Sequence, residues 1–163
     1  RRAGTVVRRP KYQASVSQLH DIGREIRESG KTYAYRCLAL TQDPAGGFVQ
    51  ITCLHLADGM PLGHEERVIN LATVPEAADV DFTQTAPGSW LIAKVPWSEA
   101  ENKVSAINAD IVLAQHLEIP PGSACLLVER ETWLQSNRLT QVRQAFPNRK
   151  ILPTSGPGVR RFI

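Results

Sequence analysis

Phe48-Val49-Gln50-Ile51-Thr52-Cys53-Leu54-His55-Leu56-Ala57-Asp58-Gly59-Met60-Pro61-Leu62-Gly63-His64-Glu65-Glu66-Arg67-Val68-Ile69-Asn70 is the stretch whose reading decides the fold. β-Formers crowd positions 48–56, Asp58-Gly59 follows, and a second run covers 61–70. That order spells a β-hairpin. Alternation puts Val49, Ile51, Cys53 and His55 on one face of the first strand. If Asp58-Gly59-Met60 forms the loop, Cys53 lies opposite Glu65 and His55 opposite Gly63, and Cys53, His55, Glu65 and Arg67 share a face. A two-residue loop shifts the register and removes this cluster.

Upstream, Val16, Leu19, Ile22 and Ile26 recur at helical spacing, and Gly30 sits where a helix C-cap belongs. Asp21 either caps this helix internally or starts it after a loop. Residues 33–40 alternate as a strand, and Asp43-Pro44-Ala45-Gly46-Gly47 is a turn. Downstream, 71–81 reads as a loop around Pro75, and one or two helical turns follow over 89–95. The alternation of Ala100, Asn102, Val104 and Ala106 favours a strand over 97–107. Asn108 reads as the N-cap of a helix over 109–117, which Ile119-Pro120-Pro121-Gly122 ends. Residues 125–133 and 139–146 form a second hairpin across Gln135-Ser136-Asn137, and 159–163 adds an edge strand. The expected class is α+β: an antiparallel sheet with short helices.

The chain of 163 residues fits one domain, and its 42% apolar and 21% charged content is ordinary for a soluble globular protein. Its net charge of +3 is uneven, with Arg1, Arg2, Arg8, Arg9 and Lys11 at one end and Arg160 and Arg161 at the other. The body between is close to neutral or acidic, which argues against a nucleic-acid platform there. Cys37, Cys53 and Cys125 lie in apolar runs without CxxC spacing. They read as buried free thiols in a reducing cytosol, not as a disulfide framework or zinc ribbon. Neither a signal peptide nor a membrane-spanning apolar run is evident. GxSxG, P-loop and HxxxH patterns are also missing, which disfavours catalysis and a local metal motif.

Several segments together resemble one family. Ile22-Gly23-Arg24-Glu25-Ile26-Arg27-Glu28-Ser29-Gly30 is similar to its first helix. Residues 58–70 match its hairpin pattern D-G-x-P-x-x-x-E-x-R-x-[IV]-N, and 117–127 match L-x-I-x-x-G-x-x-C-L-L, with Glu131-Thr132-Trp133 in register. The family is the effector-binding (UTRA) domain of GntR-superfamily regulators, and the likeness is greatest to its histidine-utilisation (HutC) branch, over residues 3 to 150. The resemblance implies a chorismate-lyase-like fold without lyase activity, a homodimer, no cofactor and urocanate as inducer. The opening Arg1-Arg2-Ala3-Gly4-Thr5-Val6-Val7 looks like the tail of a DNA-binding winged helix. Residues 1–14 are therefore expected to be a connector and 15–163 the effector-binding domain. A chain that begins on Arg is expected to be a fragment lacking the winged helix-turn-helix that reads operator DNA.

The resemblance also places a pocket. Sugar-phosphate-sensing relatives carry two arginines in the slots of Cys53 and His55, and a carboxylate in that of Glu65. Without that arginine pair a phosphosugar is disfavoured. Glu65 is expected to accept a hydrogen bond from a ligand imidazole, and His55 to donate one to a ligand carboxylate. The alternatives are a solvent-facing strand carboxylate and a histidine satisfied by its neighbours. Cys53 is either a pocket contact or core. Ser89, or Gly88 if the alignment slides by one, falls where relatives hold the effector's anionic group at a helix start. Trp90 beside it is either pocket or core aromatic. Arg143 is either a carboxylate partner or half of a cross-strand salt bridge, and Asp21 either a contact or a plain N-cap. Two departures stand out: Glu101-Asn102 replaces the usual Glu-His, and Phe146-Pro147-Asn148-Arg149 replaces Tyr-x-x-Asp-Arg.

Three functions compete at this level. One is a metabolite sensor whose connector passes an effector-driven shift to the winged helices. Another is a lyase sharing the fold, which needs a cationic pocket not evident in the sequence. The last is a dimerisation module without a ligand. A sensor for an amino-sugar phosphate or another carboxylate is the variant of the first.

Overall fold

The computed structural model describes residues 21–43 and 45–148. The connector, the proposed domain start at 15, Val16, Leu19 and the edge strand at 159–163 lie outside the described residues.

Six antiparallel strands form one sheet in the order β1-β2-β3-β6-β5-β4. They are β1 (Tyr33–Asp43), β2 (Phe48–Ala57), β3 (Met60–Asn70), β4 (Glu99–Asn108), β5 (Ala124–Leu134) and β6 (Asn137–Pro147). The helices are α1 (Ile22–Glu28), α2 (Pro87–Lys94) and α3 (Ile111–Leu117), with a 3-10 turn at Pro75–Asp79 inside the segment expected to be loop. The family-implied α+β sheet is thus present. Hairpins β2-β3 and β5-β6 meet side by side through β3 and β6.

The register of the first hairpin arises differently from expectation. Asp58 and Gly59 alone form the turn, with φ of 52° and 79°, and Ala57 pairs Met60. Positive φ at both central residues is the type I′ geometry that suits a two-residue hairpin. By itself this turn would set Cys53 opposite His64. The pairing instead slips between His55 and Leu56, leaving Leu62 without a partner. That bulge adds one residue to β3 and restores Cys53 opposite Glu65 and His55 opposite Gly63. The second hairpin also turns in two residues, Gln135-Ser136, since Leu134 pairs Asn137.

β2 is buried on both faces. On one, Val49, Ile51, Cys53 and Ile69 pack with Val74, Ala77, Phe82, Leu91 and Leu139, under the 3-10 turn and α2. Ile22 and Ile26 of α1 extend this cover against Ala57. On the other, Leu54, Leu56 and Cys125 pack with Ala109, Ala114 and Leu117 of the α3 region. Asp21 is the N-cap of α1, accepting from the Arg24 amide. Asn108 is not the cap of α3, because it ends β4. Asp110 takes that role, its carboxylate accepting from Leu113 N at 2.8 Å, as an aspartate fits a cap as well as asparagine does.

Candidate functional site

The sheet face beneath α1 and α2 carries a row of polar side chains among apolar ones. β2 contributes Cys53 and His55, β3 Glu65 and Arg67, β6 Gln144 and Thr140, and β5 Arg130 and Thr132. Pairing aligns them: Glu65 faces Cys53 on one side and Gln144 on the other, and Arg67 and Arg130 both flank Val142. Glu65 is only 1% exposed and His55 3%. A buried carboxylate needs partners, and Glu65 has three. Arg67 Nε donates to Oε1 at 2.7 Å. Gln144 Nε2 donates to Oε2 at 2.6 Å, and His55 Nε2 lies 3.3 Å from the same oxygen. Burial alone would push the Glu65 carboxyl up, but Arg67 and His55 together overcome it and hold the group well below the usual carboxylate range. The other His55 nitrogen, Nδ1, lies 3.1 Å from the Tyr33 hydroxyl.

Arg67 continues the network toward α2. Its Nη1 reaches Thr140 Oγ1 at 3.4 Å, and a side chain built on Gly88 would stand 3.3 Å from its Nη2. The first turn of α2 therefore lies directly on this guanidinium. Beside it is a small cleft of about 30 Å³, lined by Gly88, Leu91 and Trp97 above and by Arg67, Arg130 and Gln144 below. Burial lowers the pKa of Arg130, and the like charge of Arg67 lowers it further. Asn102 accepts from Arg130 Nε.

The structure thus gathers Cys53, His55, Glu65 and Arg67 on one face. Asp21 and Ser89 lie at its rim and hold each other, with Ser89 Oγ donating to Asp21 Oδ1 at 2.8 Å. This bond joins the start of α1 to the first turn of α2. Trp90 packs edge-on against Phe82, with ring centroids 5.6 Å apart, and belongs to the core. Arg143 is not in the cluster. It projects from the opposite face and pairs with Glu66 at 3.0 Å and Glu129 at 3.4 Å, because its neighbour Gln144 already occupies the inward position.

Sequence reasoning missed Arg130 and Gln144. It also did not bring two arginines together, whereas Arg67 and Arg130 line one cleft. The signal was present in the inward alternation of β5 and β6, but which strand abuts β3 is a matter of topology.

The fold defined by this sheet and its covering helices is that of effector domains of GntR-family transcription regulators. Among solved structures, the chain superposes on the C-terminal domain of the histidine utilization repressor from Pseudomonas syringae pv. tomato with a TM-score of 0.63 at 23% identity, covering 81% of this chain and 99% of that one. The effector domain of PhnF from Mycobacterium smegmatis gives 0.68 at 12% identity, covering 80% and 90%. The chain belongs to the UTRA domain family, whose model matches residues 30–148. Histidine utilization repressors from Pseudomonas putida and Klebsiella aerogenes are 29% and 28% identical to it over 157 and 159 residues. The matches cover 88% of this chain but only 63% and 65% of those relatives, so the chain spans less than two thirds of their length. Among the described residues no helix is long and apolar enough to cross a membrane.

Proposed function

We propose that this chain is the effector-sensing and dimerising part of a cytoplasmic, non-enzymatic repressor of histidine-utilisation genes, with urocanate as inducer. The observation that carries the ligand class is the pair Arg67 and Arg130, two guanidinium groups lining one cleft, with Glu65 clasping Arg67 and Glu25 drawing on Arg130. A planar carboxylate meets a guanidinium in two parallel hydrogen bonds. The effector's carboxylate sits between Arg67 and Arg130 at the first turn of α2, with its ring directed to Gln144 and the Glu65-His55 pair. Glu65 both accepts from the ring and fixes Arg67.

The relatives named above are repressors of histidine utilisation and are longer than this chain, which supports operator DNA being engaged by a winged helix outside residues 21–148. Effector binding draws α2 onto the sheet, and the Ser89-Asp21 bond passes that movement to α1 and the connector before it. The ligand shifts the equilibrium by its differential affinity for the two arrangements.

The test is a thermal-shift series with urocanate, histidine, imidazole propionate, formimino-glutamate and glucosamine-6-phosphate. A dose-dependent rise with urocanate, lost in Arg130→Ala, is expected. A rise with glucosamine-6-phosphate alone would move the protein to sugar-phosphate sensing, with Arg67 and Arg130 replacing the arginines absent at 53 and 55.

A further inference from the structure

We propose that Cys53, His55 and Glu65 form a binding site for a late divalent transition-metal ion, zinc above all. The donor atoms, Cys53 Sγ, a His55 ring nitrogen and a Glu65 carboxylate oxygen, all lie within 4.8 Å of one another, and all three residues are buried. Tetrahedral zinc with bonds of about 2.0–2.3 Å places its donors about 3.3–3.8 Å apart. Small side-chain rotations close that difference, since the backbone positions are fixed by the Cys53–Glu65 strand pair. One sulfur, one imidazole and one carboxylate is a mixed set that zinc accepts, and three protein ligands leave a fourth position open.

The surroundings resemble the outer shell of a metal site. Ligating histidines usually donate their remaining N–H to a fixed acceptor, and the Tyr33 hydroxyl stands 3.1 Å from His55 Nδ1. In the tautomer that places Nε2–H toward Glu65, that hydroxyl donates to Nδ1. With metal, Nδ1–H donates to the Tyr33 oxygen and the Nε2 lone pair turns to the ion. Arg67 holds the Glu65 oxygen farther from His55 at 2.7 Å, and Oε2, which keeps its bond from Gln144 at 2.6 Å, offers the lone pair that faces His55 for coordination. Cys53 is otherwise unused by the effector reading, and a thiol gives up its proton when it binds a metal. Coordination therefore releases one proton to solvent as the S–H bond is replaced by a metal–sulfur bond. Two anionic ligands, the dication and Arg67 leave one net positive charge, which an anionic fourth ligand neutralises.

This site does not depend on the effector assignment, and its test uses metal without effector. The full chain is titrated with Co²⁺, then Zn²⁺. The expected result is a near-ultraviolet thiolate-to-cobalt band that saturates at one equivalent, disappears on zinc addition and is accompanied by proton release. Cys53→Ser abolishes the band, His55→Gln weakens binding about tenfold or more, and Cys37→Ser and Cys125→Ser leave it intact. The wild-type titration is decisive even if Cys53→Ser fails to fold: a wild-type chain without the thiolate band overturns the site. So does a band that survives Cys53→Ser, or one lost in Cys125→Ser.

Discussion

Glu65 and Arg67 point the same way from β3 and clasp each other at 2.7 Å, on the face where hairpin and helices meet. Because both are nearly inaccessible, the pair is costly to break from one side. Replacing Glu65 with Leu leaves Arg67 buried without its counter-charge, at a cost of about 3–5 kcal/mol. Urea denaturation should show this loss, whereas Glu65→Gln, which keeps one acceptor, should lose less. Equal losses in the two variants would mean that the lost charge sets the whole cost and the retained acceptor adds nothing.

Arg130 should behave in the reverse sense. Burial and Arg67 work against its charge while Glu25 and Glu65 favour it, so that Arg130→Met should leave the stability of the unliganded chain within about 1 kcal/mol while reducing urocanate affinity at least about tenfold. Calorimetric titration beside a denaturation curve separates the two. Unchanged affinity would remove Arg130 from the effector cleft.

Arg143 is half-exposed and pairs with Glu66 and Glu129 on the far face. Arg143→Ala should change stability by no more than about 1 kcal/mol and leave effector affinity untouched. A loss of affinity would return Arg143 to the site.

His64 stacks on His116 beneath α3, with ring centroids 5.1 Å apart, and neither His64 Nε2 nor His116 Nδ1 has a hydrogen-bond partner. Burial lowers the His64 pKa. His116 and Arg143 add to that, against Glu66 and Glu65. A histidine with a depressed folded pKa is neutral in both states above its unfolded pKa of about 6.5, so stability is complete there. It declines as pH falls from that value to the folded pKa, because only the unfolded chain takes up the proton. His64→Phe should flatten this part of the stability–pH curve. An unchanged slope would assign the dependence to other groups.

The bulge at Leu62 makes its own prediction. Deleting Leu62 keeps the Asp58-Gly59 turn and removes only the extra residue, so that Gly63 follows Pro61 and the pairs His55–Gly63 and Cys53–Glu65 remain. Such a chain should still unfold cooperatively and keep its urocanate response. A lost response would show that the bulge does more than set the register.

Much of the architecture was readable along the chain because its causes are local. Asp58-Gly59 is a turn whatever surrounds it, and the alternation of β4, exposed as that strand is, survives in Ala100, Asn102, Val104 and Ala106. Alternation along 48–70 supplied the hairpin and the pairing of Cys53 with Glu65, though through a three-residue loop that does not exist. A bulge leaves no mark in composition, since Leu62 suits a strand as well as its neighbours do. The α3 cap was misplaced by two residues because Asn108 and Asp110 are both good caps, and only the end of β4 decides between them.

The sequence by itself determined which residues could bury and which could turn: the apolar faces, the glycine at φ 79°, the polar row from Cys53 to Arg67. The tertiary structure alone decided which of those polar groups meet. Strand order β3-β6-β5 sets Arg130 across from Arg67 and Gln144 against Glu65, from positions about 63 and 79 residues away in the chain. Contacts of that separation depend on sheet assembly and register, where the energy is shared over whole strands, so no local pattern could have announced them.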